Sequence, residues 1–333
     1  MNVAVVGAGS WGTALAQVLA CAGNEVTMWA RKPEVASSIT LEHRNPRYLC
    51  ETELSSSVKA TTSLGDCLSG ADAVLVVVPS NLLRKFALDM APFVSGELPI
   101  ALCSKGIEED TSLLPFEIFE EVLGHPERLA ALCGPNHAEE VVRGISSGTV
   151  IASTNEETAN LFRDLLSTDS FRCYTSSDVV GVELCAAFKN VIAIAVGLSY
   201  GIGNGDNTAA MLMTRGMAEM SRLVQACGGE PMTVMGLAGA GDLIATCTSE
   251  HSRNRSFGKL IAQGGTLEQF HKETHMVVEG ALACKTILPL AAKHGVELPI
   301  TECVRKIVWG GESPIEAAGK LANRPPTIEF WGM

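Results

Sequence analysis

The sequence predicts an α/β protein in two parts. A mostly parallel sheet wound with helices spans residues 1–177, and an all-α domain spans residues 178–333. Three observations predict this. Short apolar runs alternate with helical segments through the first half. A glycine-rich turn, Gly7-Ala8-Gly9-Ser10-Trp11-Gly12, follows the first apolar run. After Thr175 the strand-like runs stop, and the apolar stretch Val179–Gly203 opens a series of helices only.

Asn2–Val6 is a short apolar run that breaks into the glycine turn. Thr13–Ala22 reads as a helix and Glu25–Ala30 as a second strand. Strand, glycine turn, helix, strand is the context that a Rossmann-type dinucleotide fingerprint requires. There Gly7 permits the tight turn, Gly9 lets the backbone approach a pyrophosphate, and Gly12 lets the helix pack closely, with the helix N-terminus facing the anion. A strand–helix turn that binds nothing is the plain alternative. An Asp or Glu about twenty residues after the glycines usually holds the ribose 2′-hydroxyl. Here the strand ends Trp29-Ala30-Arg31-Lys32, without a carboxylate. Arg31 either meets a 2′-phosphate or is half of a solvated Arg-Lys pair.

Ala73–Val78 is the most strand-like run, and its lack of polar alternation suits a parallel strand buried on both faces. Pro99–Cys103 follows, ending in Ser104-Lys105-Gly106, and Leu129–Cys133 ends in Gly134-Pro135-Asn136-His137. Thr149–Ala152 and Phe171–Tyr174 are weaker strands around a helix over Glu156–Leu166. Ligands of open parallel sheets bind beyond the carboxyl ends of strands. Lys105 and Gly134–Asn136 sit at such ends, although each also fits an ordinary loop.

Val179–Gly203 carries only two charges, Glu183 and Lys189, and no proline. Its Ala, Val and Ile density suits a buried helix, and its charges, Asn190 and internal glycines argue against a membrane span. A lysine inside such a run is costly unless something uses it; otherwise it snorkels from the helix edge. Further helices are expected over Thr208–Cys227, Gly239–Thr246, Arg253–Gln263, Val278–His294, Thr301–Val308 and Pro314–Leu321.

The 333 residues are 47% hydrophobic, enough for two cores, and the formal net charge of −12 argues against a nucleic-acid binder. The N-terminus has no basic n-region, so no signal peptide is expected. The 11 cysteines are scattered, without CxxC pairs, which suits a reducing cytosol and gives neither a disulfide framework nor a zinc motif.

Three motifs tempt. Gly144-Ile145-Ser146-Ser147-Gly148 fits GxSxG, but a helix is expected before it and a strand after it, the reverse of a nucleophile elbow. His271, His275 and Glu279 have helical spacing for a metal, yet their segment reads as a loop joining two helices, and no metal is expected. Gly236-Leu237-Ala238-Gly239-Ala240-Gly241-Asp242 follows no strand, so it is no second nucleotide turn. Either its glycines let a backbone come close to a ligand or another helix, with Asp242 at the next helix N-terminus, or the run is a tight turn with a capping aspartate. Ser252-Arg253-Asn254-Arg255 combines a cap, a helix start and arginines, a phosphate cradle or a solvated helix start.

In order, GAGSWGTALA at Gly7–Ala16, SKGIE at Ser104–Glu108, CGPNHAEEV at Cys133–Val141, ELCAAFKNVIAIAVG at Glu183–Gly197, GLAGAGDLIATC at Gly236–Cys247 and SRNRSFG at Ser252–Gly258 occur across nearly the whole chain. The chain thereby resembles the NAD(P)-dependent glycerol-3-phosphate dehydrogenases of the bacterial, biosynthetic type. The resemblance implies reduction of dihydroxyacetone phosphate to sn-glycerol 3-phosphate with NAD(H) or NADP(H), feeding phospholipid backbone synthesis. By it, Ser10, Trp11 and Arg31 contact the dinucleotide, with Ala138, Val277 and Glu279 on its other side. Lys105 touches cofactor and substrate. Gly134, Asn136, Asp242, Ser252, Arg253 and Asn254 surround the glycerol phosphate, Arg253 also reaching the cofactor, and Lys189 is the acid/base. Asn136 departs from the Ser or Thr usual there. A cytoplasmic homodimer without nucleic-acid partner or integral membrane segment completes the expectation.

Overall fold

The structure, a computed structural model, describes residues 1–274, 278–325 and 328–329. It divides into two compact units: residues 1–105 with 113–179, and residues 106–112 with 180–333.

The first unit is built on eight strands: β1 (Asn2–Val6), β2 (Glu25–Trp29), β3 (Val58–Thr61), β4 (Ala73–Val76), β5 (Ile100–Leu102), β6 (Leu129–Cys133), β7 (Ser147–Ala152) and β8 (Phe171–Ser176). They form one sheet in the order β3-β2-β1-β4-β5-β6-β7-β8. All neighbours are parallel except β6 and β7. The α/β, mostly parallel expectation holds. The chain reverses its direction of travel across the sheet between β1 and β4, and ligands of such sheets bind outside the carboxyl ends at that point. Val3–Val6 of β1 and all of β4 are buried, as strands covered on both faces must be. β8 lies at the edge and keeps Arg172 and Tyr174 exposed, which is why its apolar signal is weak.

Seven helices belong to this unit: α1 (Ser10–Cys21), α2 (Pro33–Glu42), α3 (Leu64–Leu68), α4 (Leu83–Met90), α5 (Pro115–Leu123), α6 (Ala138–Val141) and α7 (Glu156–Leu166). α6 precedes β7, so Ser146 follows a helix and precedes a strand, and GxSxG here is no nucleophile elbow.

The second unit is helical: α8 (Val179–Gly201), α9 (Asp206–Ala226), α10 (Asp242–Thr248), α11 (Arg253–Ala262), α12 (Leu267–Thr274), α13 (Glu279–Lys293), α14 (Pro299–Gly310) and α15 (Pro314–Ala322). α8 is long and apolar enough to cross a membrane, but 89% of its most apolar window is buried. α11 comes closest to it at glycines. A Cβ on Gly197 would lie 2.0 Å from the Arg255 carbonyl oxygen, and one on Gly258 2.2 Å from that of Ile194. The two backbones therefore touch, which positions everything that α8 and α11 carry.

The stretch read as a loop joining two helices contains α12. Thr266 accepts a hydrogen bond from the Gln269 N–H at its start, Glu268 pairs with Lys272 one turn on, and Phe270 packs edge-on against Phe257 with centroids 5.5 Å apart. One buried aromatic on a polar helix is too sparse a pattern to read from sequence. His271 lies on α12, and His275 falls outside the described residues.

Candidate functional site

Gly7 has φ +126, which a residue with a side chain rarely adopts, and a Cβ there would lie 2.3 Å from the Val77 carbonyl oxygen. A Cβ on Gly12 would lie 2.0 Å from the Gly7 carbonyl oxygen, so α1 packs directly on the turn that precedes it. At Gly9, by contrast, a Cβ would meet nothing within 4 Å. Gly9 is also the N-cap of α1 and provides no side-chain cap. The turn is thus closed beneath Gly7 and Gly12 and open over Gly9, where helix N–H groups point outward. Trp11 Nε1 is buried without a hydrogen-bond partner. An open cradle at a helix N-terminus fits a dinucleotide pyrophosphate. Gly7 N–H bonds the Trp29 carbonyl at 3.2 Å, which places the exposed Arg31, two residues further on, beside the same turn.

The carboxyl ends of the next strands are tied together. Ser104 Oγ donates to the Val78 carbonyl at 2.5 Å, and Lys105 Nζ to the Gly134 carbonyl at 3.3 Å. Asn136 Nδ2 donates to the Gly148 carbonyl at 2.9 Å, while its Oδ1 is buried without a partner. Gly134 admits no side chain, since a Cβ would lie 2.7 Å from the Gly148 carbonyl oxygen. Lys105, Gly134 and Asn136 are therefore brought together, and Ala138 opens α6 just beyond them.

In the second unit Lys189 is nearly buried, with 8% of its side chain exposed, and it is paired with Asp242, 3% exposed. Its Nζ also donates to Thr246 Oγ1 at 2.8 Å, and that hydroxyl donates to the Asp242 carbonyl at 2.6 Å. Asp242 and Thr246 are one turn apart on α10, so they share a face. The glycine run sets that face. Residues 237–241 form a π-helical turn closed by the Gly241 N–H on the Gly236 carbonyl, and Gly239 presses on Val234, 2.1 Å from a would-be Cβ to its carbonyl oxygen. The apolar helix alone suggests that the Lys189 ammonium is destabilised. In the structure, burial disfavours that charge and the adjoining Asp242 carboxylate favours it. Burial pushes the neighbouring Cys247 thiol up to about 12, against the pull of Lys189 and Arg255, so it is no nucleophile at neutral pH.

Ser252 caps α11, its Oγ accepting from the Arg255 N–H at 3.3 Å. Arg255 is occupied by the Thr248 and Ser249 carbonyls and stacks 5.2 Å from the Tyr200 ring centroid. Arg253 is exposed at the helix start. Asn254 is buried. Its Nδ2 donates to Asn190 Oδ1 and its Oδ1 accepts from the Gly280 N–H, both at 2.9 Å. Asn190 Nδ2 in turn donates to Glu279 Oε2 at 3.3 Å. Lys189, Asp242, Asn254 and Glu279 thus belong to adjoining polar contacts threaded through an apolar helix bundle. Val277 lies outside the described residues. Thr246 is the site residue that sequence reasoning missed; its signal was the four-residue spacing from Asp242 within the glycine-rich motif.

Among known proteins, the family model described as NAD-dependent glycerol-3-phosphate dehydrogenase N-terminus matches residues 2–159, and the one described as its C-terminus matches residues 178–319. Similar curated relatives include the glycerol-3-phosphate dehydrogenases [NAD(P)+] of Streptomyces griseus, 45% identical over 97% of each chain, and of Pelotomaculum thermopropionicum, 44% identical over 99% of this chain and 95% of the relative. Among solved structures, glycerol-3-phosphate dehydrogenase from Coxiella burnetii aligns with a TM-score of 0.92 at 36% identity, covering 97% of this chain and 99% of that one. The chain belongs to the NAD-dependent glycerol-3-phosphate dehydrogenase family.

Proposed function

We propose that this member of the family reduces dihydroxyacetone phosphate to sn-glycerol 3-phosphate with NADH or NADPH, reversibly, and so supplies the backbone of glycerophospholipids. The bound nicotinamide supplies the hydride, and the protein supplies position and electrostatics. A carbonyl carbon that accepts a hydride leaves negative charge on its oxygen, which a proton or a cation must meet. Lys189 is the group for this. Its ammonium has protons to give, and Asp242 and Thr246 hold it in one place. The adjoining Asp242 carboxylate favours the charged form of the lysine.

Gly7, Gly9, Ser10, Trp11 and Gly12 form the cofactor turn, with Arg31 at the ribose 2′ position. Lys105, Ala138, Arg253, Val277 and Glu279 complete the cofactor contacts. Gly134, Asn136, Asp242, Ser252, Arg253 and Asn254 take the substrate, with the phosphate at the exposed Arg253 and the α11 N-terminus. The protein acts in the cytoplasm as a homodimer.

The observation that carries this reading is a buried lysine–aspartate–threonine cluster in a chain of this family. The test follows NADH and NADPH absorbance with dihydroxyacetone phosphate, and with dihydroxyacetone as control. A far higher kcat/KM for the phosphorylated substrate than for dihydroxyacetone is expected. No oxidation of either nucleotide would refute the reading.

A further inference from the structure

Asn45 lies in the stretch between α2 and β3, outside every motif above. It is 1% exposed, and its side chain is fully used. Nδ2 donates to the Ala8 carbonyl at 3.0 Å and to Thr13 Oγ1 at 2.8 Å. Oδ1 accepts from the Arg47 and Tyr48 N–H groups, both at 3.1 Å. One amide therefore joins a distant loop to the middle of the glycine turn and to the first turn of α1. The loop is fastened a second time, by the Ser55 N–H on Gln17 Oε1 at 2.8 Å.

The peptide that Asn45 holds is Ala8–Gly9. A trans peptide is planar, so its C=O and N–H point in opposite directions. Fixing the Ala8 carbonyl on Asn45 turns the Gly9 N–H to the opposite side. Gly9 is the position with open space, and with no Cβ it gives this peptide little steric reason to prefer one orientation over its flip. A flipped peptide would present a carbonyl oxygen to an anion. We propose that Asn45 is a positioning residue for the cofactor: it locks the Ala8–Gly9 peptide with its N–H toward the pyrophosphate before the dinucleotide arrives. The inference rests on the dinucleotide reading of the turn.

The test is direct binding to the folded protein, by NADPH fluorescence titration, with adenosine 2′-monophosphate as a ligand that lacks the pyrophosphate. Asn45→Ala removes the lock. Asn45→Ser keeps an acceptor for the Arg47 and Tyr48 N–H groups, as serine does in turns, but is too short to hold Ala8. Both variants should bind NADPH about tenfold more weakly, the order expected from losing a preorganising hydrogen bond. Their affinity for adenosine 2′-monophosphate and their kcat at saturating NADPH should stay within twofold of wild type. Asn24→Ala is the matched control. Asn24 is also a buried asparagine of the first unit, 6% exposed, and donates to the Leu19 and Leu165 carbonyls away from the turn. It should lower stability and leave both affinities unchanged. If the Asn45 variants bind NADPH like wild type, or lose both ligands equally, the lock is refuted. If wild type itself binds neither NADPH nor NADH, the dinucleotide reading fails and the lock with it.

Discussion

Lys189 and Asp242 form a pair with side-chain exposures of 8% and 3%, and it separates two roles that a single substitution confuses. Lys189→Met leaves a carboxylate in the core without its cation, and Asp242→Val leaves an ammonium there. Removing one partner of a buried ion pair costs about 3–5 kcal/mol, because the remaining charge is uncompensated. Replacing both partners by apolar residues of similar volume is commonly neutral or stabilising by about 1–4 kcal/mol. Thr246 does not add to the damage, since its hydroxyl keeps the Asp242 backbone carbonyl at 2.6 Å. The double variant Lys189→Met/Asp242→Val should therefore unfold in urea close to wild type, while each single variant unfolds much earlier. Activity should not follow stability. Without a proton donor, kcat of the double variant should fall by about 10²–10⁴, the usual share of general acid–base catalysis, with the NADPH dissociation constant little changed. Lys189→Arg keeps the charge but should not restore turnover, since guanidinium does not release its proton. The assay is urea unfolding of wild type and the four variants alongside kcat with dihydroxyacetone phosphate. A stable double variant with kcat within threefold of wild type would refute Lys189 as the acid/base and leave the pair as core architecture.

Three further outcomes are expected. Arg31→Asp should shift the ratio of kcat/KM values from NADPH toward NADH by about tenfold or more, the scale of one charge-assisted hydrogen bond; an unchanged ratio removes Arg31 from the 2′ position. Arg253→Ala should lower kcat/KM for dihydroxyacetone phosphate roughly 10- to 200-fold and that for dihydroxyacetone much less, and equal losses for both would remove Arg253 from the phosphate. Glu219 is buried and accepts from the Ile300 and Thr301 N–H groups at the start of α14, and burial pushes its carboxyl up to about 7 despite those bonds. A raised folded-state value means that the folded form binds the extra proton, so its contribution is full below the ordinary glutamate range and is lost as pH rises through about 7. Urea midpoints should fall over that window in wild type and lose that component in Glu219→Gln.

What could be read from the sequence was local, and what could not was joined across long separations. β1, the glycine turn and α1 are contiguous, so spacing alone places them; β1, β6 and α7 have the bounds that apolar runs and caps suggest. β3 and α2 were not legible, because Val58–Thr61 is a half-buried edge strand and α2 has a weak apolar face. The carboxyl-end loops were legible only as candidates, since the Lys105–Gly134 and Asn136–Gly148 bonds do not appear in any spacing. The same limit hides the pairing at the site. Lys189 in its apolar helix and Asp242 after its glycine run do not point to each other in the sequence, because the two are 53 positions apart. Each was odd for the same reason: half of an ion pair is costly wherever it is buried. Two charges that each lack a local explanation, set in runs that both require close packing, are better read as partners than as separate anomalies. Asn190 and Asn254, 64 positions apart and bonded amide to amide, obey the same rule, as does Asn45 with Ala8. Buried polar side chains must find partners, so a polar residue that its own segment cannot satisfy marks a long-range contact, even where sequence alone does not name the other end.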